Sequence, residues 1–234
     1  MALAVLLYLY DSTVLLCANE AILSCERRNA WRLSKGWGGF LVGGRKVCLL
    51  SPLAPYAPCA KLRWDLYAAG QPQFDETWSR DVTKLKVATP WVLAGAFALF
   101  VLLPLGLFTP LGAYAMLAAV PILYGSILVA LIVLRRAGLL RSLTSLKFAG
   151  LVFECLACPP FGVNLIRRVA LASTVNEPLL CAGQRLLASS DWSRLLAHCV
   201  AVLDQELQAC DDGAPERRAL ESQRARLGGQ RTPP

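Results

Sequence analysis

A charge-free segment constrains this chain more than any other feature of its sequence. The 48 residues from Val87 to Leu134 contain no Asp, Glu, Lys or Arg. The hydrocarbon core of a bilayer is about 30 Å thick and is crossed by about 20 apolar helical residues. The segment is therefore long enough to cross a membrane twice. A helical hairpin in a soluble core is the alternative, but the other residues are not apolar enough to surround it. We predict an integral membrane protein.

Turn-forming residues divide this segment near its middle. Pro110 lacks an amide donor and disfavours a helical conformation at Thr109, and a glycine that permits a turn follows two residues later. We predict one spanning helix over residues 89–108 and a second over residues 112–134. Together they form a transmembrane helical hairpin over residues 87–134.

Two kinds of residue within the predicted spans concern helix packing. Pro104 and Pro121 each free a backbone carbonyl and should kink their helices. Small residues let helices approach closely, either within the hairpin or between copies of the chain. Such residues recur at four-residue spacing at Ala94, Ala98, Ala115 and Ala119.

Basic residues flank the charge-free segment on both sides. Lys and Arg near membrane ends stay preferentially on the cytoplasmic side. The first span is preceded by Arg80, Lys84 and Lys86, and the second is followed by Arg135, Arg136, Arg141 and Lys147. The turn between the spans carries no basic residue. We therefore predict that both termini are cytoplasmic, in a cytoplasmic (inner) membrane of the bacterial type.

The excess of positive charge is spread evenly over the two portions outside the spans. Residues 1–86 hold 11 Lys or Arg against 7 Asp or Glu, and residues 135–234 hold 13 against 9. A nucleic-acid-binding protein would be expected to gather basic residues on one helix or stripe, beside aromatic residues. Here they collect near the membrane, where they attract anionic lipid headgroups. We expect membrane lipids as partners and no nucleic acid.

The N-terminal portion, residues 1–86, is predicted to be cytoplasmic and of mixed α/β structure. Its first ten residues are apolar, but they lack the basic leader of a signal peptide and are too short to span a bilayer. We predict a buried strand over Ala2 to Tyr10, with a membrane-surface segment as the alternative. Further along, apolar runs flank Gly43-Gly44 at the spacing of a two-residue β-hairpin turn.

These glycines also raise the question of a phosphate-binding loop. Gly39 and Gly44 are separated by four residues, as in a P-loop. However, Arg45 stands where such a loop needs lysine, and Lys46 stands where it needs a Ser or Thr that binds magnesium. The sequence therefore predicts no nucleotide site here, and we predict no cofactor elsewhere in the chain.

The C-terminal portion, residues 135–227, is predicted to be cytoplasmic and helical. Its residues 148–166 carry a single charge, Glu154, but Pro159-Pro160 would break a helix near the middle of this stretch. The basic residues on both sides also favour the same compartment. We predict an interfacial segment that dips into the membrane, or lies along it, from the cytoplasmic side.

Cys155 and Cys158 form the one pair of cysteines spaced for cooperation. Two thiols at this spacing near a helix start can share a metal or form a reversible disulfide. A zinc site needs four ligands, however, and the other seven cysteines are scattered, with His198 as the single histidine. We interpret most thiols as reduced and inert. The candidates for a catalytic site are Cys155, Cys158 and the adjacent Glu154, and no metal site is predicted.

An amphipathic helix is predicted to begin at the N-cap Ser190-Asp191. Its apolar positions recur at helical spacing at Trp192, Leu195, Leu196, Cys199, Val200, Leu203 and Leu207. This face must be covered by the rest of the chain or by another protein. A short polar helix should follow from Gly213-Ala214-Pro215 to about Gly228-Gly229, with Glu221 placed to pair with an arginine. Residues 228–234 are predicted to be a disordered tail.

These features favour an anchored interaction protein. A transporter would place ionisable side chains inside the membrane, and an enzyme would need an acid–base or nucleophilic constellation. The predicted fold class is an α-helical membrane protein, a two-pass transmembrane hairpin with a small α+β cytoplasmic portion. We expect a membrane-anchored scaffold or accessory subunit that binds another protein, or a second copy, through the amphipathic helix or the hairpin. The alternative is a membrane-associated thiol-redox or metal-dependent enzyme that uses Cys155 and Cys158.

Overall fold

The computed structural model describes residues 2–26, 30–34, 40–64, 77–110, 112–140, 144–173, 175, 177–211 and 215–229. About 69 % of the described residues are helical. The helices are α1 (Ala2–Asp11), α2 (Thr77–Lys84), a 3₁₀ turn (Leu85–Ala88), α3 (Thr89–Phe97), a π-helical turn (Ala98–Leu102), α4 (Leu103–Phe108), α5 (Gly112–Arg136), α6 (Ser145–Ala157), α7 (Pro159–Val163), α8 (Leu165–Ala172), α9 (Leu179–Leu186), α10 (Ser189–Ala209) and α11 (Pro215–Gly229). The strands are β1 (Thr13–Leu16), β2 (Glu20–Cys25), β3 (Trp31–Leu33), β4 (Leu41–Val42), β5 (Arg45–Leu49) and β6 (Cys59–Arg63).

The strands form two small antiparallel sheets. One has the strand order β1-β5-β4 and the other β3-β2-β6. The predicted β-hairpin is confirmed, because β4 and β5 pair with Val42 opposite Arg45 across a two-residue turn. Gly43 and Gly44 have φ values of 56° and 74°, in the left-handed region that this turn needs and glycine tolerates. Gly39 lies outside the described residues.

Helix α1 corrects the prediction of a strand over Ala2 to Tyr10. A short, wholly apolar run has no periodicity that separates a strand from a helix, so its tertiary surroundings decide. Helix α1 packs against α7, and the ring of Tyr8 meets that of Phe100 edge-on with centroids 5.0 Å apart. A helix in this position satisfies its own backbone hydrogen bonds without a neighbouring strand.

Two helices in the described chain are long and apolar enough to cross a membrane. The first is the continuous helical run Thr77–Phe108, and the second is α5. The predicted break between them is found at Thr109, which has an extended backbone. We call the two helices the apolar hairpin, and we call its end near Leu85 and Leu134 the base.

The first apolar helix is longer than predicted and contains one irregular stretch. It begins at Thr77 and not at residue 89, because α2 and the 3₁₀ turn run into α3 without a break. The π-helical turn precedes Pro104, and in it the Leu103 N–H bonds to the Ala98 carbonyl five residues earlier. Since Pro104 has no N–H, the normal helical bond at this position is missing. Helix α5 continues as regular α-helix through Pro121.

The two apolar helices pack closely against each other. A Cβ atom added to Gly95 would lie 2.8 Å from the Ser126 hydroxyl, and one added to Gly106 would lie 2.7 Å from the Met116 side chain. Ala98 is fully buried, as is Ala119 of α5. Small residues therefore let the helices approach within the hairpin, as one of the two predicted alternatives requires.

The predicted interfacial segment forms a broken helix beside the hairpin. Helix α6 ends at Ala157 and α7 begins with Pro159 at its first position, which confirms the expected break. Helices α6 and α7 both pack on α5, and α7 also packs on α3. Helix α8 then returns along β6 and contacts the 3₁₀ turn at the base.

The C-terminal helices cover one another. The apolar face of α10 is buried against α9, α11 and β3, so the chain itself covers the residues on which an external partner was one option. Helix α11 is confirmed over Pro215–Gly229, and Glu221 pairs with Arg217 at 3.2 Å. Residues 230–234, most of the predicted disordered tail, lie outside the described residues.

The predicted N-cap of α10 is wrong. The helix begins at Ser189, its N-cap is Ala188, and Asp191 lies inside the first turn. The Asp191 carboxylate accepts a hydrogen bond from the Leu33 N–H at 3.4 Å and pairs with Arg194. A backbone donor on β3, distant in sequence, therefore takes the carboxylate that would otherwise have capped the helix.

Candidate functional site at the base of the hairpin

A buried arginine lies at the centre of a polar cluster beside the base of the hairpin. The Arg167 side chain belongs to α8, and the residue is only 3 % exposed. Its Nη2 donates to the Ser51 carbonyl at 2.5 Å and to the Ala54 carbonyl at 2.6 Å. The guanidinium therefore satisfies two carbonyl oxygens of the loop between β5 and β6, which has few backbone partners of its own.

Hydrogen bonds from neighbouring residues join α1 to the same loop and to α8. The Asn164 amide nitrogen donates to the Ser12 hydroxyl at 3.0 Å and to the Tyr8 carbonyl at 3.3 Å. The Tyr8 hydroxyl donates to the Pro52 carbonyl at 2.5 Å. Ser12 and Asn164 are fully buried. The cluster thus fixes three segments that are far apart in the sequence.

A second, more exposed group of charges borders this cluster. Arg168 bonds to Glu154 at 2.6 Å and lies 3.6 Å from Asp11. Its guanidinium also lies 4.9 Å from the centre of the Phe161 ring. Burial raises the pKa of the Asp11 carboxyl, and the positive charge of Arg168 partly offsets this increase. One arginine therefore serves two carboxylates, and this limits its capacity to bind an external anion.

A cleft of about 930 Å³ opens next to these charges, between α2, the end of α5, α6 and α8. Its walls combine apolar side chains such as Leu85, Leu139 and Leu151 with charged ones. The charged residues are Lys84, Lys147, Arg168, Asp81 and Glu154. Lys84 pairs with Asp81 at 2.6 Å. Three cations against two carboxylates leave little net charge, so the lining suits an amphipathic occupant better than a free ion.

The structure separates the predicted thiol candidates by environment. Cys155 is fully buried, and burial raises the pKa of its thiol to about 11. Cys158 is half-buried, and both cysteines are unpaired. The Glu154 carboxylate bonds to Arg168 and not to a thiol. A reactive cysteine needs a lowered thiol pKa, and that of Cys155 is shifted in the opposite direction.

No group of three or more His, Cys, Asp or Glu side chains that could hold a metal ion occurs among the described residues. His198 is exposed on α10. Partial burial and nearby Lys46 both lower the pKa of its imidazole. The described part of the chain therefore brings no acid–base or nucleophilic group next to Cys155, Cys158 or Glu154 beyond Arg168.

Another buried carboxylate links the base of the hairpin to α9. Glu177 is buried, accepts a hydrogen bond from the Trp78 indole N–H, and pairs with Arg185 at 2.7 Å. The Trp78 ring also packs edge-on against Trp31 of β3, with centroids 5.3 Å apart. This arrangement connects α2, α9 and a sheet at a single point.

The tip of the β4–β5 hairpin carries an apolar patch that is not covered by the described chain. Phe40 is 76 % exposed, Leu41 is 72 % exposed and Val42 is 58 % exposed. Leu41 lies opposite Lys46 in the sheet, and Lys46 is close enough to His198 to affect its pKa. The patch, which we call the β-tip patch, is therefore next to α10 and not next to the apolar hairpin.

Sequence reasoning missed Arg167, Asn164 and Glu177. Arg167 looks like one of two basic residues at the end of an apolar stretch, where arginine usually reaches for water. The available signal was the three-residue spacing of Asn164 and Arg167, which places two polar side chains on the same face of a helix. The partners in the loop 51–54 lie more than a hundred residues away and leave no local pattern.

The chain matches no protein-family model, no curated protein and no solved structure.

Proposed function

We propose that this chain is a two-pass membrane protein with both termini on the cytoplasmic side, acting as a scaffold or accessory subunit for a protein partner there. The membrane location is supported by the apolar hairpin, whose outer surface consists of apolar side chains such as Phe108, Tyr114 and Leu117, all highly exposed. A hydrocarbon environment would stabilise that surface. The orientation is supported by the basic residues at the base.

The single observation that favours a cytoplasmic protein partner is the β-tip patch. Three consecutive large apolar residues, Phe40, Leu41 and Val42, are exposed on the same side of the chain as the termini in the proposed topology. Contiguous exposed apolar residues mark interaction sites in many soluble domains. The neighbouring Arg45 and Lys46 would favour a partner with acidic residues around an apolar contact.

A photo-crosslinking experiment tests this function. A benzoylphenylalanine residue is introduced at Leu41, and intact cells are irradiated. We expect one protein adduct of defined mass, which disappears when Phe40 and Val42 are changed to Ser. The same probe at exposed Gln205 of α10 is the control and should give no such adduct. Only unmodified chain at Leu41, or identical adducts at both positions, would contradict the proposal.

Transport by this chain alone is not supported by the polar content of the hairpin. The polar side chains of the described hairpin beyond residue 90 are those of Thr109, Tyr114, Tyr124 and Ser126, and none titrates near neutral pH. The Ser126 hydroxyl donates to the Leu123 carbonyl of its own helix. Ion or proton pathways usually require ionisable groups at this depth.

The thiol alternative has weaker support. It requires a reactive member of the Cys155 and Cys158 pair, but burial raises the pKa of the Cys155 thiol to about 11. Cys158 retains partial exposure, so any thiol chemistry would have to begin there. The labelling experiment described in the Discussion separates this alternative from the scaffold proposal.

A further inference from the structure

The contacts inside the apolar hairpin provide a depth scale for everything packed against it. Gly95 faces Ser126 and Gly106 faces Met116, so positions on the two antiparallel helices that face each other lie at the same level. On this scale Lys86 and Arg135 are at one level, and both mark the basic end of the charge-free segment. Depth can therefore be counted from these two residues at about 1.5 Å per helical residue.

Two short elements outside the hairpin reach far along this scale. Tyr8 of α1 packs on Phe100, which lies about 21 Å beyond Lys86 along the helix. Gly162 of α7 packs so closely on Ile127 that an added Cβ would lie 2.5 Å from its Cδ1 atom. Ile127 lies about 12 Å from Arg135 along α5. Half of a hydrocarbon core is about 15 Å thick, so both contacts fall near its middle.

The surfaces that these elements turn away from the hairpin are apolar. Helix α1 exposes Leu3, Leu6 and Tyr10, which are spaced by three and four residues and so form one face. Helix α6 exposes Leu146 and Phe153, seven residues apart, again on one face. These surfaces lie beside the apolar surface of the hairpin and at the same depth.

We infer that α1 and the α6–α7 pair are embedded in the cytoplasmic leaflet beside the hairpin, where their exposed apolar faces contact phospholipid acyl chains. The inference rests on the proposed two-pass topology and adds to it two elements that enter the membrane without crossing it. The occupant of these faces is lipid and not a protein, because the same surface continues onto the hairpin without a charged residue between them on the exposed side of α1.

The buried polar cluster fits this position. Non-helical backbone is tolerated at membrane depth only where its polar groups are satisfied by the protein. The loop 51–54 is non-helical, and Arg167 and Tyr8 donate to three of its carbonyls. Leu53 at the tip of this loop is almost fully exposed and apolar. The cluster therefore allows a loop to lie against lipid without unpaired carbonyls at Ser51, Pro52 or Ala54.

Lipid crosslinking at single positions tests the inference. Benzoylphenylalanine is placed separately at Leu6, Phe153, Leu117 and Leu41, all exposed in the structure. The full chain is reconstituted in vesicles of phosphatidylcholine and phosphatidylglycerol, irradiated and analysed by intact mass. We expect phospholipid adducts at Leu6 and Phe153 in yields similar to that at Leu117 on the hairpin, and no phospholipid adduct at Leu41 in the β-tip patch.

The remaining outcomes distinguish failure of the inference from failure of the proposed function. A lipid adduct at Leu117 together with none at Leu6 or none at Phe153 overturns the inference while the hairpin remains in lipid. An adduct between Phe153 and a second protein chain also overturns it. No lipid adduct at Leu117 contradicts the proposed membrane location itself. Because the replaced side chains are exposed, circular dichroism of each variant should match that of the wild-type protein.

Discussion

The outer part of the apolar hairpin and the region beside its base differ in how their side chains are satisfied. Residues 101–118 expose apolar side chains and have few contacts outside the hairpin. Beside the base, by contrast, Arg167 and Glu177 are buried and each bonds to partners on distant segments. The outer part therefore depends on its surroundings for stability, whereas the base depends on specific internal bonds. Substitutions should separate these two kinds of dependence.

The largest loss of stability is expected for Arg167→Met. The variant leaves the carbonyls of Ser51 and Ala54 buried without a donor, at a cost of about 4 kcal/mol in the free energy of unfolding. Denaturant titration in a mild detergent measures this change. Arg224→Met is the control, because Arg224 is exposed and pairs only with Asp204, so its cost should stay within about 0.5 kcal/mol. Equal effects would show that the cluster is not a stabilising centre.

A smaller loss is expected for Glu177→Gln. The amide can still accept from the Trp78 indole, but it leaves the partly buried Arg185 without its counter-charge. We expect destabilisation by about 3 kcal/mol, below that of the fully buried arginine. The unfolding free energy and the tryptophan emission of Trp78 are the readouts. Unchanged stability together with unchanged emission would refute a role for this pair in holding α9 to the hairpin.

Thiol reactivity should also depend strongly on position. The raised pKa keeps the Cys155 thiol neutral at pH 8, and its thiolate fraction should grow about tenfold per pH unit until the pH reaches about 11. Cys158 is half-buried and should alkylate faster at pH 8 in the folded protein. Peptide mass spectrometry after timed labelling gives both rates. Faster labelling of Cys155 than of Cys158 at pH 8 would revive the thiol-enzyme alternative.

Overpacking at the contact between α7 and the hairpin should have a moderate effect. In Gly162→Ala the new methyl group would lie 2.5 Å from Ile127, and we expect a loss of about 2 kcal/mol. Gly125→Ala is the matched control, because Gly125 lies on the same hairpin with no atom near its added Cβ. Denaturant titration of both variants compares them. Similar stability of the two would mean that α7 does not rest on Ile127.

The smallest effect is expected at the candidate Glu154. Its carboxylate is about half exposed and pairs with Arg168, so Glu154→Gln should cost about 0.5 kcal/mol or less. The same titration measures it, with Arg167→Met as the reference for a large effect. A loss comparable to that of Arg167→Met would place Glu154 among the buried internal bonds and would blur the contrast drawn above.

Several elements could be predicted because local chemistry determines them. The break at Thr109 follows from proline geometry, the β4–β5 turn follows from Gly43-Gly44, and α11 follows from Pro215 and its flanking glycines. In each case the deciding residues are adjacent in the sequence. The two apolar helices follow from the charge-free run in the same way.

Other elements could not be predicted because distant contacts determine them. The first ten residues contain no period that separates a strand from a helix, and packing on Phe100 and α7 decides in favour of a helix. Asp191 has the sequence of an N-cap, yet the Leu33 N–H takes its carboxylate. Arg167 resembles a residue at a membrane flank until the loop 51–54 is brought next to it. In all three cases the competing partner is remote in the chain.

The most direct test of the two-pass proposal is the accessibility of the hairpin turn from the far side of the membrane. The natural sequence has no cysteine between residues 77 and 136, so Thr109→Cys introduces the only thiol expected outside. A membrane-impermeant maleimide added to intact cells should label this variant and leave the wild-type chain unlabelled until the membrane is permeabilised. An unlabelled Cys at this position in intact cells, with the native cysteines labelled only after permeabilisation, would contradict a hairpin that crosses the bilayer twice.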